Sequence, residues 1–253
     1  MNYSIMRKHS APASQQRGIA LFVVVIFVLL SMLLALWSAR SSLFNELVVG
    51  NDVDYQRAFE AAQALLLDAE MDTREEPAGG AACGGAICRA GETFKIPLEA
   101  QEVGQLLAGL NAQTGKCSKG LCVKRSGKQD FWEDETALAA LAAANVGARY
   151  GQVTGAKTGT GSAPANPILA DTSAANRGGW YWVEVLPYVS SEASGGTNLI
   201  VDEVAAGSSA SPGLLPLSLS PNVVYRMTAL AYGRKPGTMV VLQQTYAQQR
   251  LRD

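Results

Sequence analysis

The residues of this 253-residue chain with catalytic chemistry to offer are few: one histidine, four cysteines and some short charged runs. His9 lies in the polar stretch before Arg17. A chain that loses that stretch keeps no imidazole, which closes histidine-based triads, common zinc-hydrolase sites and imidazole acid–base chemistry. Asp202-Glu203 is a remaining carboxylate pair, but neighbours on a strand point to opposite faces. Glu133-Asp134-Glu135 reads as favourable charge at a helix start, because its spacing is not that of an EF-hand loop. Gly155, Lys157, Thr158 and Gly159 fail as a phosphate loop: no Gly-Lys-Ser/Thr closes the gap and no buried strand leads in. No enzyme activity, cofactor or metal is expected.

More informative is an abrupt change of composition near the start of the chain. Arg17-Gly18 ends a short, mostly polar leader, and an apolar run then goes from Ile19 to Leu30 and past Ser31 to Trp37. About 19 residues at 1.5 Å each span roughly the 30 Å hydrocarbon core of a bilayer. Arg7, Lys8 and Arg17 precede the run, so the positive-inside rule keeps the leader cytoplasmic and puts everything after Arg40 on the far side. A secretory signal peptide is the competing reading. Its apolar core is usually shorter, about 7–15 residues, and closed by small residues, whereas Trp37 and Arg40 stand here.

The helical pattern also continues beyond the span. Leu43, Leu47, Tyr55, Ala58, Phe59, Ala62, Leu65, Leu66 and Ala69 recur mostly at three- and four-residue steps, one apolar stripe of a helix. No proline occurs between Ile19 and Glu76, so one helix can reach Arg74, roughly 80 Å away, with Gly50-Asn51 as its expected kink. The organisation is then 1–18 leader, 19–39 transmembrane helix, 40–76 its periplasmic extension and 77–253 a globular head.

On the far side of a membrane an even cysteine count reads as disulfides. Four residues separate Cys83 from Cys88 and Cys117 from Cys122, and three connectivities are open. A four-cysteine zinc site is disfavoured because thiols are oxidised there. Removing Arg7, Lys8 and Arg17 takes the formal net charge from −1 to about −4. Lys116, Lys119, Lys124, Arg125 and Lys128 read as a solvated loop, and no nucleic acid is expected as a partner.

In the head, Gln101 to Leu110 and Thr136 to Ala144 have helical composition, and Asp130 with Glu133 resembles a capping box. Tyr150 to Gly179 is rich in small residues and reads as a long surface excursion. Trp180 to Val189 alternates as a strand, and Asn222 to Tyr232 and Thr238 to Gln248 flank a turn at Arg234-Lys235-Pro236-Gly237. The fold class is α+β: a long N-terminal transmembrane and amphipathic helix packed by a C-terminal antiparallel sheet. Tyr181, Trp182, Tyr188 and Tyr225 are expected in its core or on a sheet face.

These features carry a resemblance. The Gly18-Ile19 junction, Asn45-Glu46, Gly50-Asn51, Asp54 and Ala58-Phe59-Glu60-Ala61-Ala62 resemble a type IV pilin precursor, most closely the PilX family of minor pilins. Tyr225-Arg226-Met227-Thr228-Ala229 and Val240 to Tyr246 resemble that family's closing strands. Two positions depart from most pilins: Val23 stands at the fifth mature position in place of a glutamate, and Ile19 where major pilins usually have phenylalanine. In the family at large that glutamate is thought to neutralise the N-terminal amine of a neighbouring subunit. PilX-type subunits, and the K-type pseudopilins of type II secretion, lack it and are placed at the filament tip.

The resemblance implies cleavage between Gly18 and Ile19 by prepilin peptidase, and N-methylation of Ile19. It implies a precursor in the inner membrane of a Gram-negative bacterium, single pass with a periplasmic C-terminus, that passes into a pilus on the cell surface. There it would prime assembly at or near the tip and support twitching motility and adhesion. Its partners would be prepilin peptidase, other minor pilins, the major pilin and a PilY-type tip adhesin. Val23, Glu46, Tyr55, Phe59 and Ala62 would pack against partner helices. The alternatives are a K-type pseudopilin and an uncut single-span periplasmic scaffold.

Overall fold

The computed structural model describes residues 17–80, 82–85, 87–160, 163–164, 166–189, 199–200, 219 and 222–248. His9, Asp202-Glu203 and most of the expected leader lie outside these residues. The chain divides into two units, residues 1–51 and 52–253.

Helix α1 runs through Arg17–Thr73. It contains no proline, and its assignment is unbroken at Gly50-Asn51, the position expected to kink. It ends where the backbone of Glu75 turns left-handed (φ 55°) and Pro77 follows. Within the second unit Ala58, Ala61, Ala62, Leu65 and Ala69 are fully buried; all but Ala61 belong to the apolar stripe read from the sequence, whose Tyr55 is exposed and whose Phe59 and Leu66 are half-buried. Small side chains on that stripe let the sheet come close. At Gly179, a Cβ would lie 2.4 Å from a Leu65 methyl and 2.8 Å from the Leu230 carbonyl, so only glycine fits.

The head holds strands β1 (Cys117–Ser118), β2 (Leu121–Val123), β3 (Gly159–Thr160), β4 (Ala163–Pro164), β5 (Gly179–Val189), β6 (Leu199–Ile200), β7 (Val223–Tyr232) and β8 (Met239–Tyr246). The main sheet has the order β1-β2-β5-β7-β8, with β6 also paired to β5, while β3 and β4 pair apart. The three long strands expected from the sequence form its antiparallel centre, with Trp182 opposite Thr228 and Thr228 opposite Gln243. The β2–β5 pairing is parallel, Cys122 facing Glu184. Both helices of the head are present, α2 at Ala100–Asn111 and α3 at Glu135–Leu141.

Alternation splits the side chains of the sheet between two cores. Tyr181, Val183, Val185, Tyr225, Met227 and Ala229 pack with the α1 stripe and with Val103, Leu106 and Leu110 of α2. Trp180, Trp182 and Leu230 face the other way, onto Phe131, Leu141 and Val146. Tyr181, Trp182, Tyr188 and Tyr225 are all buried. Disulfides join Cys83 to Cys88 and Cys117 to Cys122, the second linking directly opposed residues of the β1–β2 hairpin.

Two expectations are corrected. The cap of α3 is Asp134, whose carboxylate accepts from the Thr136 and Ala137 N–H groups; Asp130 caps no α-helix with its side chain. The stretch from Tyr150 to Gly179 is not simply a surface excursion. Val153, Thr154, Ile168 and Leu169 are buried, and Arg149 stacks 3.6 Å over the Trp180 ring while donating to the Ala174, Arg177 and Gly179 carbonyls. The physical reason is that single apolar residues and hydrogen bonds dock this stretch, and neither produces a periodic pattern.

Candidate functional site

From Ile19 to Ala39 the α1 surface is apolar on every side apart from Ser31 and Ser38. Ile19, Phe22, Phe27, Leu30, Leu33 and Trp37 are each more than half exposed, as are Leu43, Phe44, Leu47 and Val48 further on. A continuous apolar surface of this kind needs lipid or other helices to cover it. From Ile19 to Ala39 there is no charged side chain, and Val23 occupies the fifth position after Gly18. An ionised group in such a span is expensive unless it is partnered.

The second unit uses the helix differently. Asp54, Asp68 and Asp72 occupy the buried side of α1, and each has dedicated partners from the head. Asp54 accepts the Arg234 and Lys235 N–H groups at 2.9 and 3.0 Å, which holds the β7–β8 turn to the helix. Burial pushes its carboxyl up, but those two donors and Thr238 outweigh burial, and the pKa sits below the ordinary 3.8. Asp68 accepts from the Gly151 N–H at 2.7 Å and from the Thr154 hydroxyl. Here burial wins over both bonds, and with Asp72 one turn away the carboxyl is pushed up to about 6.

Asp72 makes the strongest of these contacts. Arg89 reaches it with two bonds, Nε at 2.8 Å and a terminal nitrogen at 2.6 Å, and both side chains are almost wholly closed from solvent. The Tyr181 hydroxyl donates to the same carboxylate at 3.0 Å, and Arg89 also donates to the Lys119 carbonyl. Burial and the Asp72 charge both push the Tyr181 hydroxyl far above its ordinary pKa. Arg89 and Cys88 both take left-handed backbone angles (φ 53° and 54°), which non-glycine residues rarely adopt. The Cys83–Cys88 disulfide closes the loop that carries Arg89. Val153 and Thr154 tie it to the neighbouring turn by accepting the Cys88 and Ala78 N–H groups.

The expected site residues fall on both sides of this division. Gly18 and Ile19 lie in the first turns of α1, and Val23 and Glu46 are exposed on it. In the second unit Tyr55 is 52% exposed, Phe59 is half-buried, and Ala62 is fully buried against the head of its own chain. Ala62 therefore packs inside the molecule, because its stripe is the one the sheet covers. The clamp made by Asp68, Asp72, Arg89 and Tyr181 was not anticipated. Its signal was present: Asp54, Asp68 and Asp72 fall in step with Ala58, Ala61, Leu65 and Ala69, and an acid on an apolar stripe needs a buried partner.

Two family descriptions match the chain: PilX N-terminal over residues 17–66, and type IV pilus assembly protein PilX C-term over residues 118–248. No curated protein and no solved structure matches it. The first match covers the apolar run and much of the α1 stripe; the second covers the sheet that packs on that stripe and takes in half of the chain. The chain belongs to the PilX family of type IV pilus minor pilins.

Proposed function

We propose that this minor pilin is held in the inner membrane by Ile19 to Ala39 with its head in the periplasm, is cut between Gly18 and Ile19, and primes pilus assembly from a position at or near the tip. The observation that carries this reading is the acid-free, exposed apolar surface of α1 from Ile19 to Ala39, with Val23 at the fifth position. A helix without an acid there suits a place where no neighbouring amine has to be neutralised inside an apolar bundle. Other minor pilins and the major pilin would cover the apolar surface, and prepilin peptidase would cut the precursor. A PilY-type adhesin would sit on the head. In this reading Glu46 and Tyr55 pack against partner helices, and the protein supports twitching motility and adhesion.

Gold labelling of sheared pili with an antibody to the head tests the position. Label at one end of a filament is the expected result, and label spaced along the shaft overturns the tip assignment. Replacing Gly18 blocks maturation in this reading and leaves an uncut scaffold unaffected.

A further inference from the structure

The sheet face turned away from α1 carries a charge cluster that does not balance. Glu184 of β5 is 2% exposed and stands directly opposite Arg226 of β7, while Arg125 reaches it from the chain just after β2. Each arginine uses its Nε on a different oxygen of the one carboxylate: Arg125 at 3.3 Å on Oε1 and Arg226 at 2.8 Å on Oε2. The Arg125 N–H adds a third bond to Oε1 at 3.0 Å. The Arg125 guanidinium also lies 3.6 Å over the Phe131 ring, which fixes its plane. Because Glu184 is engaged through Nε, the terminal amino groups are left over. Both terminal nitrogens of Arg125 and one of Arg226 are closed from solvent without a hydrogen-bond partner.

Two partly buried cations share one anion, and three of their terminal nitrogens, closed from solvent, lack an acceptor. Burial and the nearness of Arg226 together hold the Arg125 pKa below its ordinary value despite Glu184. Unpaired buried donors are costly, more so when charged, so a fold that keeps them needs something to receive them. A carboxylate has the required form: two oxygens with about four acceptor positions, matched to guanidinium edges. We propose that the Arg125–Glu184–Arg226 cluster is a receptor for one further carboxylate, which completes its charge balance and accepts from the terminal amino groups of both arginines. This inference concerns the head alone and stands apart from the pilus reading.

The test uses the full chain in detergent, with thermal unfolding compared in sodium acetate and sodium chloride at equal ionic strength and pH. Acetate is expected to raise the wild-type Tm by roughly 2–4 °C, and Arg226→Gln to abolish the response. Should Arg226→Gln fail to fold, Arg226→Lys keeps the charge without the second terminal amino group and must also lose the acetate response. Indifference of the wild type to acetate overturns the proposal. So does a response that survives at Arg226→Lys.

Discussion

The two stretches of α1 handle polar groups in opposite ways. From Ile19 to Ala39 the helix carries no charge, and apart from Ser31 and Ser38 its side chains are apolar and exposed on every side. From Asp52 to Thr73 it carries acids on both sides, and three of them lie on the buried stripe among alanines and leucines. A surface that lipid or many alternative helices can cover offers no fixed polar partner, so it carries no charge, and its Ser31 hydroxyl bonds back to the Val28 carbonyl of its own helix. A surface that must meet one sheet in one register gains from buried acids, because sliding the helix would leave Asp68 and Asp72 without Thr154, Gly151, Arg89 and Tyr181. The first half leaves its partners open, and the second fixes them.

The sharpest way to break this contrast is at Arg89. Arg89→Ala leaves Asp72 buried with only the Tyr181 hydroxyl, and should destabilise the head by about 3–5 kcal/mol in denaturant unfolding of the full chain in detergent. The double variant Asp72→Leu/Arg89→Met should recover most of that loss, since two apolar side chains leave no buried charge behind. A loss below about 1 kcal/mol for Arg89→Ala would mean the pair does not hold the head to the helix.

A smaller effect comes from pH. The Asp68 carboxyl is raised from 3.8 to about 6 in the folded chain, so the folded state binds this proton more tightly than the unfolded state does. Its contribution is therefore fully present below about 4 and is lost as pH rises through 6, a change on the order of 2–3 kcal/mol. Glu75, also raised by burial, adds a slope of the same sign. Comparing wild type with Asp68→Asn between pH 4.5 and 7.5 isolates Asp68: the variant should keep only the Glu75 slope. Equal slopes in the two proteins would contradict the assignment.

Smaller again is the hold on the β7–β8 turn. Asp54→Ala removes the acceptor of two N–H groups and should cost about 1–2 kcal/mol. Amide exchange at Arg234 and Lys235 should quicken selectively, which a general loss of stability would not produce.

Much of this architecture was legible before any coordinates. The α1 stripe, the three long strands and the turn at Arg234 to Gly237 all follow from periodicity and turn chemistry, which are local signals. The β1–β2 hairpin was not legible: strands of two and three residues show no alternation, and the parallel β2–β5 pairing is a long-range choice. The α3 cap fell on Asp134 and not Asp130 because a single 3-10 turn at Phe131–Glu133 precedes the helix, and both sites offer an aspartate. The Asp72–Arg89 clamp was half legible, since acids on an apolar stripe demand partners. The partner sits in a glycine-rich disulfide loop whose left-handed residues leave no compositional mark.

The central claim is that the apolar half of α1 belongs to a processed pilus subunit. Its most direct test is the intact mass and N-terminal residue of the membrane-extracted protein, made with and without active prepilin peptidase. The account predicts a peptidase-dependent start at Ile19 carrying the mass of one methyl group. An uncut N-terminus in both strains, or a start near Ala39, would contradict it.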